Sequence, residues 1–71
     1  MAEQVRAPLA GNIWSVLVEV GAKVEEDDDL VVIEALKMEN AVCAPCAGTV
    51  KEILVKKGDK VDEDAVMIVI D

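Results

Sequence analysis

Histidine, phenylalanine and tyrosine are absent from this 71-residue chain, and cysteine, proline and glycine are scarce at two, two and four. Without histidine, and with two cysteines, a four-ligand zinc site cannot be assembled from Cys and His. Two cysteines also speak against a disulfide-stapled framework. No apolar run approaches the roughly 20 residues that cross a bilayer as a helix, and no signal-peptide pattern opens the chain. No glycine loop suited to cradling phosphate is present, and no serine or cysteine has a base nearby, which points to a passive role rather than to catalysis. Basic residues are few as well: seven against fifteen acidic ones, for a net charge of −8. Such a surface repels nucleic acid and anionic membranes, and leaves solubility and docking to partners with a basic or mixed face. The expectation is one soluble cytoplasmic domain over residues 1–71, both thiols reduced, with no nucleic-acid partner and no membrane insertion. Met1 and Asp71 fit the ends of a free-standing protein, but the sequence does not distinguish that from a domain cut from a longer chain.

What the chain does contain is aliphatic. Val, Ile, Leu and Ala supply nearly all of its apolar side chains, beside a single Trp. β-Branched residues are stiff at χ1 and suit a pleated, half-buried surface, so the composition leans towards strands.

The chain also contains itself twice. Residues 7–34, APLAGNIWSVLVEVGAKVEEDDDLVVIE, align without a gap on residues 44–71, APCAGTVKEILVKKGDKVDEDAVMIVID, at an offset of 37. Thirteen of the 28 pairs are identical, from Ala7/Ala44 and Pro8/Pro45 through Gly21/Gly58 to Val32/Val69 and Ile33/Ile70. Extending the offset backwards faces residues 1–6 with 38–43, matching Val5 to Val42. Ala35, Leu36 and Lys37 alone have no counterpart, so a lysine sits in the connection between two copies.

Each copy opens on a turn, Ala-Pro-x-Ala-Gly, in which Pro fixes φ and Gly11 or Gly48 permits a positive φ. A strand follows, over residues 12–19 and 49–56. Val50, Ile53 and Val55 break strict alternation, which indicates a bulge or strong twist. Gly21 and Gly58 make the next turn, and a brief strand carries Val24 or Val61. An acidic loop leads into LVVIE or MIVID. The expectation is an all-β fold of about eight short strands, a sandwich or flattened barrel in two pseudo-symmetric halves. Residues 30–36 and 39–43 read as two strands with a two-residue hairpin turn at Ala35-Leu36-Lys37-Met38. Such turns favour Asn-Gly or Gly-x, so Leu-Lys is a poor local choice. It indicates either a site selected for chemistry or strand boundaries displaced by two residues. A lysine at a hairpin tip holds its amine clear of the surface, where acylation removes a charge and adds a long tether.

Glu34-Ala35-Leu36-Lys37-Met38-Glu39-Asn40 resembles the attachment motif of biotin carboxyl carrier proteins, in which the lysine of Glu-Ala-Met-Lys-Met is biotinylated. Ala-Pro-x-Ala-Gly and Gly-x-Lys-Val are similar to segments of the same biotinyl/lipoyl attachment family, so the resemblance covers essentially the whole chain. It implies a flattened barrel of two four-stranded antiparallel sheets, with biotin covalently attached to Lys37 at a type I′ turn. It implies a biotin protein ligase as the modifying enzyme. It further implies biotin carboxylase and carboxyltransferase or decarboxylase subunits as partners, between whose sites a non-catalytic carrier moves a carboxyl group. Leu36 stands where the family usually has Met, a swap of similar volume. Asp27 and Asp64 stand where many members have Gly; Asp tolerates the left-handed region better than most residues.

Leu36 and Met38 read as partial cover for the hairpin, as recognition elements for ligase and partners, or as both. Cys43-Ala44-Pro45-Cys46 has the spacing of a redox dithiol, but it lies inside the repeat without a βαβ context. Small buried hydrophobes are the reading there. Glu25 to Asp29 lack the ligand spacing of a calcium loop and read as a solvated loop. Trp14 aligns with Lys51, which implies an outward or edge position. Three other functions compete with a biotin carrier: a lipoyl carrier on the same scaffold, an unmodified interaction module and a small dithiol enzyme. Lipoyl domains usually show Asp-Lys-Ala at the tip, so Leu-Lys-Met favours biotin.

Overall fold

The computed structural model describes residues 2–71; Met1, one of the two expected chain ends, lies outside the described residues. Eight strands appear in chain order and no helix accompanies them among the described residues: β1 (Glu3–Arg6), β2 (Gly11–Val16), β3 (Lys23–Val24), β4 (Asp29–Ala35), β5 (Met38–Cys43), β6 (Gly48–Ile53), β7 (Lys60–Val61) and β8 (Val66–Ile70). They form two four-stranded antiparallel sheets, ordered β1-β8-β6-β3 and β5-β4-β2-β7. Shifting each label by one copy turns the first order into the second, so the sequence repeat is a two-fold relation between the sheets.

Packing obeys the same relation. The fourteen buried apolar residues fall into seven pairs at the 37-residue offset: Val5/Val42, Ala7/Ala44, Ile13/Val50, Val24/Val61, Leu30/Met67, Val31/Ile68 and Ile33/Ile70. Each sheet turns an aliphatic face inward, and no polar or charged residue is buried among those described. Full burial of a side chain such as Ile33 contributes about 1.5–3 kcal/mol, so a small chain depends on this one core.

The irregularities pair too. Register shifts between Ile13 and Ser15 against β4, and between Val50 and Glu52 against β8, leaving Trp14 and Lys51 as extra residues of matching bulges. The broken alternation at Val50 and Ile53 is therefore a bulge. The strands expected over 12–19 and 49–56 end earlier, at Val16 and Ile53. Beyond them the chain crosses between sheets: Leu17 still donates to the Leu30 carbonyl, but Gly21 donates to Val50 of the opposite sheet. In the other copy Leu54 bonds Met67 and Gly58 bonds Ile13.

Gly11 and Gly48 serve a different purpose from the one their turn position suggests. Positive φ belongs instead to Gly21 and Gly58, both at 93°. A Cβ on Gly11 would lie 2.6 Å from the Glu34 carbonyl oxygen, and one on Gly48 would lie 2.6 Å from the Ile70 Cγ2. Glycine is required there because another strand passes too close for a side chain. Asp27 and Asp64, at φ 72° and 71°, do occupy the left-handed region. Among the described residues, no helix is long and apolar enough to cross a membrane.

Candidate functional site

β4 and β5 pair from Asp29↔Cys43 to Ala35↔Met38, so Leu36 and Lys37 alone form the turn between them. Their φ angles are 53° and 63°. Positive φ at both central residues is the type I′ geometry that matches the twist of a β-ribbon. The strands, at Asp29–Ala35 and Met38–Cys43, differ by one residue from the expected 30–36 and 39–43, but the two-residue turn is where it was expected, and the poor local chemistry is real. A non-glycine residue in the left-handed region costs about 1–2 kcal/mol, and the surrounding ladder holds two in succession.

Lys37 is exposed at this apex, and its side chain makes no hydrogen bond or ion pair among the described residues. Leu36 and Met38 beside it are 93% and 65% exposed. Both present apolar surface to solvent on either side of Lys37 in the chain. The Asn40 side-chain amide donates to the Met38 carbonyl at 3.3 Å, tying down the first residue after the turn. The strand below fixes the base, since Asn12 of β2 pairs with Glu34 of β4.

Glu34 and Glu39, the first cross-strand pair below the one that closes the turn, face each other directly. Like charges so placed destabilise a ladder, and no cation is paired with either among the described residues. Sequence reasoning singled out neither carboxylate as part of the site. Their equal distance from the turn was the available signal.

Cys43 and Cys46 behave differently from the expectation of small buried hydrophobes. Cys43 is exposed, because it sits on the outward side of β5, whereas Cys46 is half-buried against the core. Both are free thiols. The Cys43 thiol donates to the Asp29 carboxylate at 3.4 Å, and that bond, with lesser desolvation and the charges of Asp29 and Asp27, raises its pKa above the ordinary value. A raised pKa suppresses the thiolate that dithiol chemistry requires. The acidic residues of the two loops do not gather into a metal-binding group, and no pocket opens among the described residues.

An exposed lysine on a strained I′ turn thus joins the halves of a duplicated sandwich. The family model for biotin-requiring enzymes, the biotin/lipoyl family, matches residues 3–70. The chain belongs to this family. It is a biotin carrier domain, and the match spans both sheets and the turn. The gamma subunit of methylmalonyl-CoA decarboxylase from Veillonella parvula is 44% identical over 41 residues, covering 58% of this chain and 32% of that protein. The biotin carboxyl carrier protein of Streptococcus mutans is 46% identical over 41 residues, with the same coverage of 58% and 32%. The match thus spans about a third of the length of these curated relatives. Among solved structures, the urea carboxylase of Kluyveromyces lactis superposes with a TM-score of 0.95 at 37% identity, covering 100% of this chain and 6% of that one. The biotin carrier domain is thus similar both to part of a small subunit and to a small segment of a large enzyme.

Proposed function

We propose that Lys37 carries biotin in amide linkage and that the domain moves a carboxyl group between a biotin carboxylase site and a carboxyltransferase or decarboxylase site. The observation that carries this reading is the amine itself, exposed and unpartnered on the two-residue turn between β4 and β5. The residues fit the group: a primary amine at an apex meets the activated carboxyl carbon of biotin without displacing any protein contact. Attack by Nζ forms the C–N bond, expels the activating group and releases one proton. Bound biotin supplies a ureido nitrogen that accepts a carboxyl group. The chain's own residues anchor and present: the ladder holds the turn, Leu36 and Met38 flank the tether, and acylation removes the Lys37 charge. Neither chemical step is catalysed by the domain itself, and biotin protein ligase installs the group. The work takes place in the cytoplasm, where both thiols stay reduced.

Leu36-Lys37-Met38 supports biotin rather than lipoate, as does the name of the biotin carboxyl carrier protein that the chain resembles. The test is carboxyl loading. After biotinylation, the chain incubated with purified biotin carboxylase, ATP and isotopically labelled bicarbonate takes up label, and Lys37→Arg takes up none. Undiminished label on Lys37→Arg would overturn the assignment.

A further inference from the structure

The chain has one aromatic side chain, and the fold places it outside: Trp14 is 49% exposed while the whole core is aliphatic. Trp14 is the extra residue of the β2 bulge, a feature that re-aims a side chain. Its row on that outer face is completed by Ser15, Val32 and Ala41, which pair in register across β2, β4 and β5. The two-fold relation supplies an internal control. At the matching bulge of β6 the backbone does the same thing, but the residue is Lys51, and the adjoining row is Glu52, Val69 and Gln4. Equal scaffolds therefore carry unequal faces, and the apolar one lies on the sheet that bears Lys37.

Charge divides along the same line. The strands of the Lys37 sheet hold Asp29, Glu34 and Glu39 against Lys60 alone. The strands of the other sheet hold Glu3 and Glu52 against Arg6, Lys23 and Lys51. A self-repelling Glu34–Glu39 pair left without a cation gains most from a partner that brings one.

We infer that the outer face of the β5-β4-β2-β7 sheet is the docking surface for the biotin carboxylase, with Trp14 as its anchor in an apolar pocket rimmed by arginine or lysine. The inference rests on Lys37 being the biotinylated residue. Trp14 lies between the levels of Ile33 and Val32, three to four residues below Leu36, or roughly 10–13 Å at strand rise. A ligase must bring its active site to Nζ and therefore grips the apex. A carboxylase receives the end of a long tether and can hold the body lower down. Exposed tryptophan is over-represented among the few residues that dominate interface energetics.

The test exchanges the two bulge residues. Trp14→Lys installs what the equivalent backbone already accepts in the other copy, and Lys51→Trp is the reciprocal control. Each biotinylated variant is assayed with purified biotin carboxylase by bicarbonate-dependent ATP hydrolysis. Trp14→Lys should raise the KM for the carrier about tenfold with kcat and ligase labelling unchanged. Trp14→Phe should stay near wild type, Lys51→Trp should change nothing, and the wild-type KM should rise with salt. An unaltered KM in Trp14→Lys, or ligase labelling that falls in parallel, would overturn the inference. Failure of the wild-type chain to accept biotin would instead overturn the Lys37 assignment, and this surface with it.

Discussion

At the scale of single residues, the chain breaks local preference most sharply where the site is. Leu36 and Lys37 sit at positive φ where Asn-Gly would be unstrained, and Leu36 is almost wholly in solvent. Neither choice improves the fold, which fits the proposal that a modifying enzyme reads the apex. Gly11 shows the opposite logic. Its missing Cβ lets β2 pass against the Glu34 carbonyl, directly beneath the turn, while Gly48 does the same beside Ile70 and Asp71. Gly11→Ala and Gly48→Ala are each expected to destabilise the domain by about 1–3 kcal/mol through overpacking, measured by urea unfolding. Only Gly11→Ala, which displaces the base of the hairpin, should also slow biotinylation of the folded protein. Equal labelling of the two variants would show that the β2–β4 contact does not position Lys37.

At the scale of elements, the β4–β5 hairpin is where geometry becomes recognition. Six register pairs from Asp29↔Cys43 to Ala35↔Met38 fix both arms, so the amine's position is set to within a residue. Inserting one glycine between Leu36 and Lys37 keeps the core pairs and moves only the apex. Misplacing a reacting group by about 1 Å can cost on the order of 10²-fold, so biotin ligase labelling should fall steeply while the unfolding midpoint barely shifts. Normal labelling of the insertion variant would show that turn geometry is not what the ligase reads. Much of this element was legible in the sequence. The unmatched Ala35-Leu36-Lys37 and the apolar runs on either side placed the hairpin, and the uneven spacing of Val50 and Ile53 pointed to a bulge or strong twist, of which the structure has the bulge. The early ends of β2 and β6 were not legible, because Leu17–Val20 and Leu54–Lys57 look like strand but cross between sheets, and crossing is set by partners distant in sequence. The exposure of Cys43 escaped for the same reason. Its neighbour Val42 points inward, so alternation sends the thiol out, but only the register with Asp29 fixes that phase.

At the scale of the whole molecule, duplication builds a nearly symmetric body that is used asymmetrically. Seven core pairs and one pair of bulges, at Trp14 and Lys51, obey the two-fold relation. The pairing Ile33↔Asn40 below the turn has its mirror in Glu3↔Ile70, where β8 and β1 lie side by side without a connecting turn. Lys37 thus occupies the one junction that the symmetry leaves unique, and the repeat alone made that visible. Which face a partner meets was not legible, since Trp14 against Lys51 signals exposure but not which sheet bears it. The central claim is that this one amine, of the chain's six lysines, is the one displayed for acylation. Its most direct test is intact-mass and peptide mapping of the wild-type chain after exposure to biotin protein ligase, biotin and ATP, and in parallel to a lipoate ligase with lipoate. The account predicts a single biotinyl group, wholly on the peptide containing Lys37, with Lys23, Lys51, Lys56, Lys57 and Lys60 unmodified. An unmodified chain, a biotinyl group on another lysine, or uptake of lipoate in preference to biotin would contradict it.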